Sequence, residues 1–257
     1  PMLSWKRADL GGVVDRLKII AALTALVLVW TVYQVWGNAV FGAFGIALSA
    51  WLASSVLLDW ALRIRLFRAS PLDSMRRAMR IPRAAYGMNF AHFGVALLVA
   101  GVTASSAWRT ESLQVMREGE SISVAGFEFL FHGVDRAEGP NYAVDRGHFT
   151  VTRGAKFTVE LWPENRFYPV QQQPTTEAAI HTMWNADLYA VVGDPNGNGG
   201  WATRIYYNPL VPWIWLGALV MALGGAVSLS DRRHRVGAPK RSQSTPMPRH
   251  AAADSVR

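Results

Sequence analysis

Residues 84–107 read AAYGMNFAHFGVALLVAGVTASSA, an unbroken stretch with no Asp, Glu, Lys or Arg and one histidine, His92. About 20 apolar residues cross a bilayer as a helix. Arg83 precedes this stretch and Trp108-Arg109 follows it, the basic and aromatic flanks expected of a span. Three further stretches meet the same criterion, about Ile19 to Trp36, about Ala39 to Leu62 and about Leu210 to Leu229. Gly37-Asn38 reads as a tight turn between the first two. Asp59 is the one acidic residue inside these limits. Arg63 lies four residues on, so the two read as an interfacial pair at a helix end.

Composition agrees with a membrane chain. Of 257 residues, 51% are hydrophobic and 17% charged, with 11 Trp, whereas soluble domains carry about 25% charged residues. There is no Cys, which excludes disulfides, zinc–thiolate sites and thiol–disulfide chemistry. The chain begins at Pro1 rather than Met and is expected to be a piece of a longer protein or a processed product. No signal peptide is read at its start, because Lys6, Arg7, Asp9, Asp15, Arg16 and Lys18 precede the first apolar run.

The net charge of +8 is unevenly placed. Residues 1–18 hold four Lys/Arg, residues 63–85 seven Arg, and residues 231–257 seven Lys/Arg. Residues 108–208 hold eight Lys/Arg against twelve Asp/Glu. Four spans alternate sides, and so does this charge. The positive-inside bias therefore puts both ends and the Arg-rich loop in the cytoplasm and residues 108–208 outside. It accounts for the basic charge without nucleic acid. Trp36, Trp108, Trp213 and Trp215 fall at outer interfaces and Trp60 at an inner one.

The outer segment is too long for a structureless loop. Alternating β-branched and aromatic residues mark strands at Ser121–Val124, Phe127–Phe131, His148–Thr152, Lys156–Leu161, Asp187–Val192 and Trp201–Tyr207. Glu138-Gly-Pro-Asn, Gly154-Ala155 and Asp194-Pro-Asn-Gly-Asn-Gly-Gly read as turns. The fold class is thus membrane α-helical, with four transmembrane helices and an extracytoplasmic antiparallel β-domain inserted between helices three and four. The expected organisation is a two-helix hairpin plus Arg-rich cytoplasmic loop (1–83), a span carrying His92 (84–107), the β-domain (108–208), a last span (209–230) and a disordered basic tail (231–257).

Six histidines are present. His234 and His250 read as solvated tail residues. His132, His148 and His181 lie in the β-domain without metal-ligand spacing and read as surface or hydrogen-bonded groups. His92 lies at membrane depth, where an ionisable group is costly and marks a functional site by default. Ala85, Met88, Asn89, Val95, Ala96, Val99 and Thr103 share its face at three- and four-residue spacing. That face is small or flat enough for a planar macrocycle whose metal the imidazole reaches. A histidine hydrogen-bonded to a neighbouring helix is the alternative. Gly87, Gly94 and Gly101 recur on roughly the opposite face and would admit a second helix closely. No phosphate loop, His-Glu-x-x-His or serine elbow occurs. Glu111, Glu118 and Glu120 read as solvated charges, and no catalytic residue is assigned.

Three ordered blocks resemble CcmF, the haem lyase component of bacterial system I cytochrome c maturation. They are Arg166-Phe-Tyr-Pro-Val-Gln-Gln-Gln-Pro-Thr-Thr-Glu-Ala-Ala-Ile, Asp187-Leu-Tyr-Ala-Val-Val-Gly-Asp, and Tyr207-Asn-Pro-Leu-Val-Pro-Trp running through Leu223-Gly-Gly into Ser230-Asp-Arg-Arg. The resemblance covers nearly the whole chain but only the C-terminal portion of that family. It implies a bacterial inner-membrane location, with 108–208 periplasmic. It places His92 where the family has one of two transmembrane haem b ligands, so His92 is the expected axial ligand to the haem iron. The Trp-rich WWD segment, the periplasmic haem-handling histidines and the other axial ligand belong to an N-terminal portion. None of these matches a residue here.

The implied function is subunit of a thioether-forming haem lyase that attaches haem to the CXXCH motif of apocytochrome c. This chain alone is then expected to be incomplete. The implied partners are the N-terminal CcmF portion with its WWD segment, the haem chaperone CcmE, CcmH/CcmI-type apocytochrome-presenting proteins, apocytochrome c and membrane lipid. A haem-exporting permease subunit and a non-enzymatic scaffold for the maturation complex remain the alternatives.

Overall fold

In the computed structural model, residues 10–231 are described, apart from 37, 38, 67 and 156. The Gly37-Asn38 turn, Lys156, His234, His250 and the basic tail beyond Asp231 therefore lie outside the described residues. Five helices are present: α1 (Leu10–Gln34), α2 (Phe41–Ile64), α3 (Pro71–Arg80), α4 (Arg83–Ala107) and α5 (Val211–Leu229). Four of them, over Val14–Gln34, Phe41–Ile64, Arg83–Ala107 and Val211–Leu229, are long and apolar enough to cross a membrane. Helix α1 starts earlier than its apolar stretch, and on its exposed first turns Lys18 pairs with Asp15 at 3.1 Å.

Helices α4 and α5 run antiparallel in backbone contact. A Cβ added to Gly94 would lie 2.6 Å from the Gly217 carbonyl oxygen, and one added to Gly87 2.5 Å from that of Gly224. The reverse approaches are equally close, Gly217 to Gly94 at 2.6 Å and Gly224 to Gly87 at 2.7 Å. A Cβ added to Gly101 would lie 2.9 Å from the Ile214 nitrogen in the first turn of α5. Small residues every seventh position on both helices are what permit this spacing in lipid, where no hydrophobic force drives helices together. The cytoplasmic end is closed by Asp231, whose Oδ2 accepts from the Ala84 N–H at 3.1 Å. Pro82, at the N-cap position of α4, has no side chain to do this. A carboxylate also suits the positive end of a helix.

On another side of α4 lies α2. Gly42 abuts Ala107 and Trp108, Gly45 abuts Thr103, and Ser49 Oγ donates to the Ala96 carbonyl at 2.7 Å. The start of α2 is thus beside the end of α4, at the same end as the β-domain. Helix α1 packs on α2 and presents Leu26, Val29, Trp30 and Tyr33 outward.

The β-domain holds ten strands: β1 (Thr110–Met116), β2 (Ser121–Val124), β3 (Phe127–Glu138), β4 (Ala143–Arg153), β5 (Phe157–Leu161), β6 (Glu164–Tyr168), β7 (Gln173–Glu177), β8 (Ala179–Thr182), β9 (Ala186–Pro195) and β10 (Trp201–Pro209). Every pairing is antiparallel. One sheet has the order β1-β10-β9-β8; the other runs β2-β3-β4-β6-β7, with β5 also on β4. Their inner faces share one core, in which Phe127, Phe129, Phe131, Phe149 and Val151 of one sheet meet Met116, Leu188, Ala190 and Ile205 of the other. Alternate burial along β4 and β9 is the sign of a strand with one face in that core.

The expected strands and turns are found, with four strands more. Strand β7, Gln173-Pro-Thr-Thr-Glu, is exposed along its length and has no apolar face to announce it. Strands β5 and β6 follow the same edge of β4, broken by buried Pro163, whose carbonyl accepts from Gly147 N–H at 2.8 Å. In the last turn Asn196 Oδ1 accepts from Asn198 and Gly200, while Gly197 and Gly199 take positive φ.

The two halves of the molecule are joined by a continuous pair. Helix α4 runs into β1, β10 runs into α5, and β1 pairs with β10 from Thr110↔Tyr207 onward. Leu210 N–H donates to Asn185 O at 2.8 Å, and Trp213 Nε1 to Trp184 O at 3.0 Å, fixing α5 to the sheet. The arrangement is that of a multi-pass inner-membrane protein with an extracytoplasmic β-domain. Replacing Gly94 by Leu forces side-chain atoms into the α5 backbone and should cost at least about 2 kcal/mol. Gly225, on the same helix α5, has open space around its Cβ position, so Gly225→Ala should be silent. Thermal unfolding of both variants in detergent checks this.

Candidate functional site

His92 lies on α4 one turn beyond Met88. Its Nδ1 is 2.8 Å from the Met88 carbonyl oxygen. A carbonyl only accepts, so Nδ1 carries the proton. Neutral imidazole then keeps its lone pair on Nε2. That atom has no hydrogen-bond partner among the described residues, and the ring is half-buried. The alternative of a histidine bonded to a neighbouring helix is therefore not the arrangement found; the bond stays within α4.

Helix geometry, about 100° per residue, sets what surrounds the ring. The glycine stripe that meets α5 lies roughly opposite. The face singled out from sequence divides in two. Ala96 and Thr103 are covered by Ser49 and Gly45 of α2, and Asn89 is buried beside Val56, Leu57 and Trp60 of α2, around a cavity of about 300 Å³. Met88, Val95 and Val99 remain half-buried beside His92, and Val102 further on is exposed. This uncovered strip has no charged side chain. His92 is the one histidine in a described membrane helix, and no cluster of three metal-binding side chains occurs among the described residues. Among the described residues, Nε2 of His92 is therefore the one imidazole nitrogen within a membrane-length helix that is left without a hydrogen-bond partner.

The β-domain histidines are engaged elsewhere. A bulge at Phe131/Gly133, with Gly133 at φ 108°, sets His132 beside His148. Their rings stack at 4.4 Å, and His148 stacks on Trp162 at 3.8 Å. His148 Nε2 bonds Glu160 Oε2 at 2.5 Å, His132 Nε2 bonds Thr150 Oγ1 at 2.7 Å, and Thr150 donates to Glu160. His181 packs edge-on to Phe157. His132 and His148 are thus hydrogen-bonded and His181 makes a ring contact, while the His132–His148 stack depends on the bulge, which has no sequence signal.

The block from Arg166 to Ile180 folds as the β6–β7 hairpin and continues into β8. Arg166 donates to Glu164 through Nε at 2.8 Å and Nη2 at 2.6 Å, reaches Glu177 on the paired strand at 3.7 Å, and lies over the Tyr142 ring. Arg146 holds the other oxygen of Glu164 at 2.7 Å. Burial pushes the Glu164 carboxyl up, but the hydrogen bonds and charges of Arg166 and Arg146 outweigh it and hold it below the ordinary glutamate value. The Glu164 hydrogen bond likewise raises Arg166. Sequence reading passed over Glu164; an acidic residue two positions before an arginine in a strand, hence on the same face, was the available signal. In the second block, burial raises Asp187, and its Oδ1 has no hydrogen-bond partner among the described residues. The third block supplies the end of β10, the α5 glycines and the capping Asp231.

Four membrane-length helices, a two-sheet domain strung between the last two, and, among the described residues, one half-buried histidine within a membrane-length helix define the class: a polytopic membrane protein with an extracytoplasmic β-domain. Residues 107–209 match a family model described as the CcmF C-terminal beta-sandwich. The chain is 41% identical over 243 residues to the cytochrome c-type biogenesis protein CycK of Rhizobium meliloti, covering 95% of this chain and 36% of that protein. It is 34% identical over 237 residues to the cytochrome c-type biogenesis protein CcmF of Escherichia coli, covering 91% and 35%. A solved structure described as cytochrome c heme lyase CcmF shares the fold, with a TM-score of 0.65 at 23% identity over 90% of this chain and 37% of that one. The chain belongs to the CcmF/CycK family of cytochrome c-type biogenesis proteins and corresponds to its C-terminal region. It spans about a third of the length of these relatives.

The depressed Glu164 carboxyl predicts an acid limb to β-domain stability. Its contribution is present above the unfolded-state value, about 4.3, and is lost as pH falls through the lower folded value. Glu164→Gln should cost about 1 kcal/mol at neutral pH and flatten that acid limb, read from thermal unfolding against pH.

Proposed function

We propose that this chain is the C-terminal part of a cytochrome c haem lyase subunit in which His92 provides one axial ligand to a b-type haem within the membrane. The observation that carries this reading is the proton placement on His92. Met88 O fixes the hydrogen on Nδ1 and leaves Nε2 as a donor to iron, the arrangement by which ligating histidines are commonly oriented. The names of the relatives support the pathway, and the uncovered apolar strip beside His92 suits a macrocycle face. When bound, the haem iron supplies one-electron redox chemistry whose potential depends on its axial ligands.

The chain's own residues hold and orient. Backbone contact at the glycines fixes the register of α4 against α5, so His92 keeps a fixed depth. It lies nine residues past Arg83, about 14 Å along the helix, in the cytoplasmic half to the middle of a core of about 30 Å. Trp108 lies sixteen residues further, about 24 Å away. Thioether formation on a CXXCH motif belongs to the periplasmic side, so the group on His92 is a fixed relay and not the haem being attached. The second axial ligand and the outer haem site come from the N-terminal portion with its WWD segment. The chaperone CcmE, CcmH/CcmI-type proteins and apocytochrome c are the partners of the assembled complex.

In the full-length protein, His92→Gly should lose the low-spin b-type absorbance and cytochrome c maturation. Added imidazole should restore the absorbance in part. His181→Ala and His132→Ala should leave both unchanged. An unaltered spectrum in His92→Gly would refute ligation.

A further inference from the structure

The connection between α2 and α4 was expected to be a loop of arginines, yet it contains helix α3. Ser70 caps it by accepting from Asp73 N–H at 3.2 Å, and Pro71 takes the first position. The helix has three distinct faces. Ser74 and Ala78 face the protein: Ser74 Oγ reaches the Arg65 carbonyl at 3.5 Å, and Tyr86 OH donates to the Ala78 carbonyl at 3.0 Å. Leu72, Met75 and Met79 form an apolar stripe with Met79 74% exposed. Asp73, Arg76, Arg77 and Arg80 form the third face.

This third face borders an open surface cavity of about 500 Å³ lined by Arg63, Asp73, Arg76, Arg77, Arg80 and Pro82. Two of its arginines are already matched, Arg63 to Asp59 at 2.6 Å and Arg76 to Asp73 at 3.8 Å. Arg77 and Arg80 have no ion-pair partner among the described residues, and both are exposed. The cavity therefore carries uncompensated positive charge. It lies at the cytoplasmic ends of α2 and α4, where the membrane's headgroup layer begins.

We propose that this cavity binds the phosphodiester headgroup of an anionic phospholipid of the cytoplasmic leaflet, with α3 lying in the interface. The apolar stripe and the basic face are adjacent on one short helix. Such a helix rests at the acyl boundary with its apolar side in lipid and its cations at phosphate level. Basic pockets between membrane helices on the cytoplasmic side take anionic headgroups. Planar guanidinium groups match phosphate oxygens two at a time. Lipid, rather than a soluble phosphate, is the occupant because Leu72, Met75 and Met79 need an apolar phase beside the same cavity. Ligand and acyl chain are then supplied by one molecule.

The test uses the full chain in nanodiscs of phosphatidylcholine alone or with phosphatidylglycerol, read by thermal midpoint and by phosphatidylglycerol retained on purification. Phosphatidylglycerol should raise the midpoint of the wild type, and inorganic phosphate added to phosphatidylcholine discs should not. Arg77→Gln/Arg80→Gln should need roughly tenfold more phosphatidylglycerol for the same shift. Arg65→Gln/Arg68→Gln removes the same charge from the same connection without touching the cavity and should respond as wild type. Arg77→Lys/Arg80→Lys keeps the charge that sets topology and should give an intermediate response, which decides the matter if the glutamine variant folds poorly. Equal weakening in both glutamine variants would reduce the effect to general surface charge and overturn the site. Full replacement of the lipid by inorganic phosphate, or no lipid response in the wild type, would overturn it as well.

Discussion

Backbone contact between α4 and α5 is the constraint on which the other parts depend. In lipid, two helices gain little by hiding apolar surface from each other, so packing contacts must hold them together. Gly87, Gly94, Gly217 and Gly224 remove the side chains that would keep the backbones apart. The register set there continues into β1 and β10, which hydrogen-bond as neighbours beyond the membrane. A shift of one helix against the other would therefore also break the ladder of the outer sheet. The pair is pinned at three heights: by Asp231 on Ala84 at the cytoplasmic end, by the glycines at mid-membrane, and by Trp213 on Trp184 at the base of the β-domain.

This pair also explains the position of His92. The glycine stripe occupies one side of α4 and the α2 contact a second, leaving a strip that contains Met88, His92, Val95 and Val99. Small residues serve both helix contacts, whereas the strip carries larger apolar groups and one imidazole. On the side of α4 away from His92, between the two helix contacts, Phe90 is also exposed, beside the apolar pocket it lines with Trp60 and Phe93.

The spans, the outer β-domain and the close helix pair were legible because each rests on a local pattern: apolar length, alternation and a seven-residue glycine repeat. Helix α3 was not, because the arginine content of 63–85 reads first as a topology signal and hides the Ser70-Pro71-x-Asp73 cap. Strand β7 was missed because it is polar and exposed, held in place by pairing with β6 rather than by burial. His92 was legible as an ionisable group at membrane depth. Its proton placement was not, since that depends on the distance from Nδ1 to Met88 O. The Arg166–Glu164–Glu177 cluster needed the strand pairing that sets Glu164 opposite Glu177.

The three sequence blocks that carry the family resemblance do different physical work. The block beginning at Arg166 secures a hairpin with no fully buried residue in either strand, its Phe167 and Val170 lying exposed, so charge pairing and strand hydrogen bonds anchor it in place of burial. The block beginning at Tyr207 builds the strand-to-helix passage, with Leu210 in the left-handed region at φ 56° and Pro212 in the first turn of α5. Proline suits that position because the first N–H groups of a helix lack intrahelical partners. Neither block touches His92. Their common effect is to hold the β-domain and α5 in one orientation. Through the glycines, α5 in turn holds the helix that carries the imidazole.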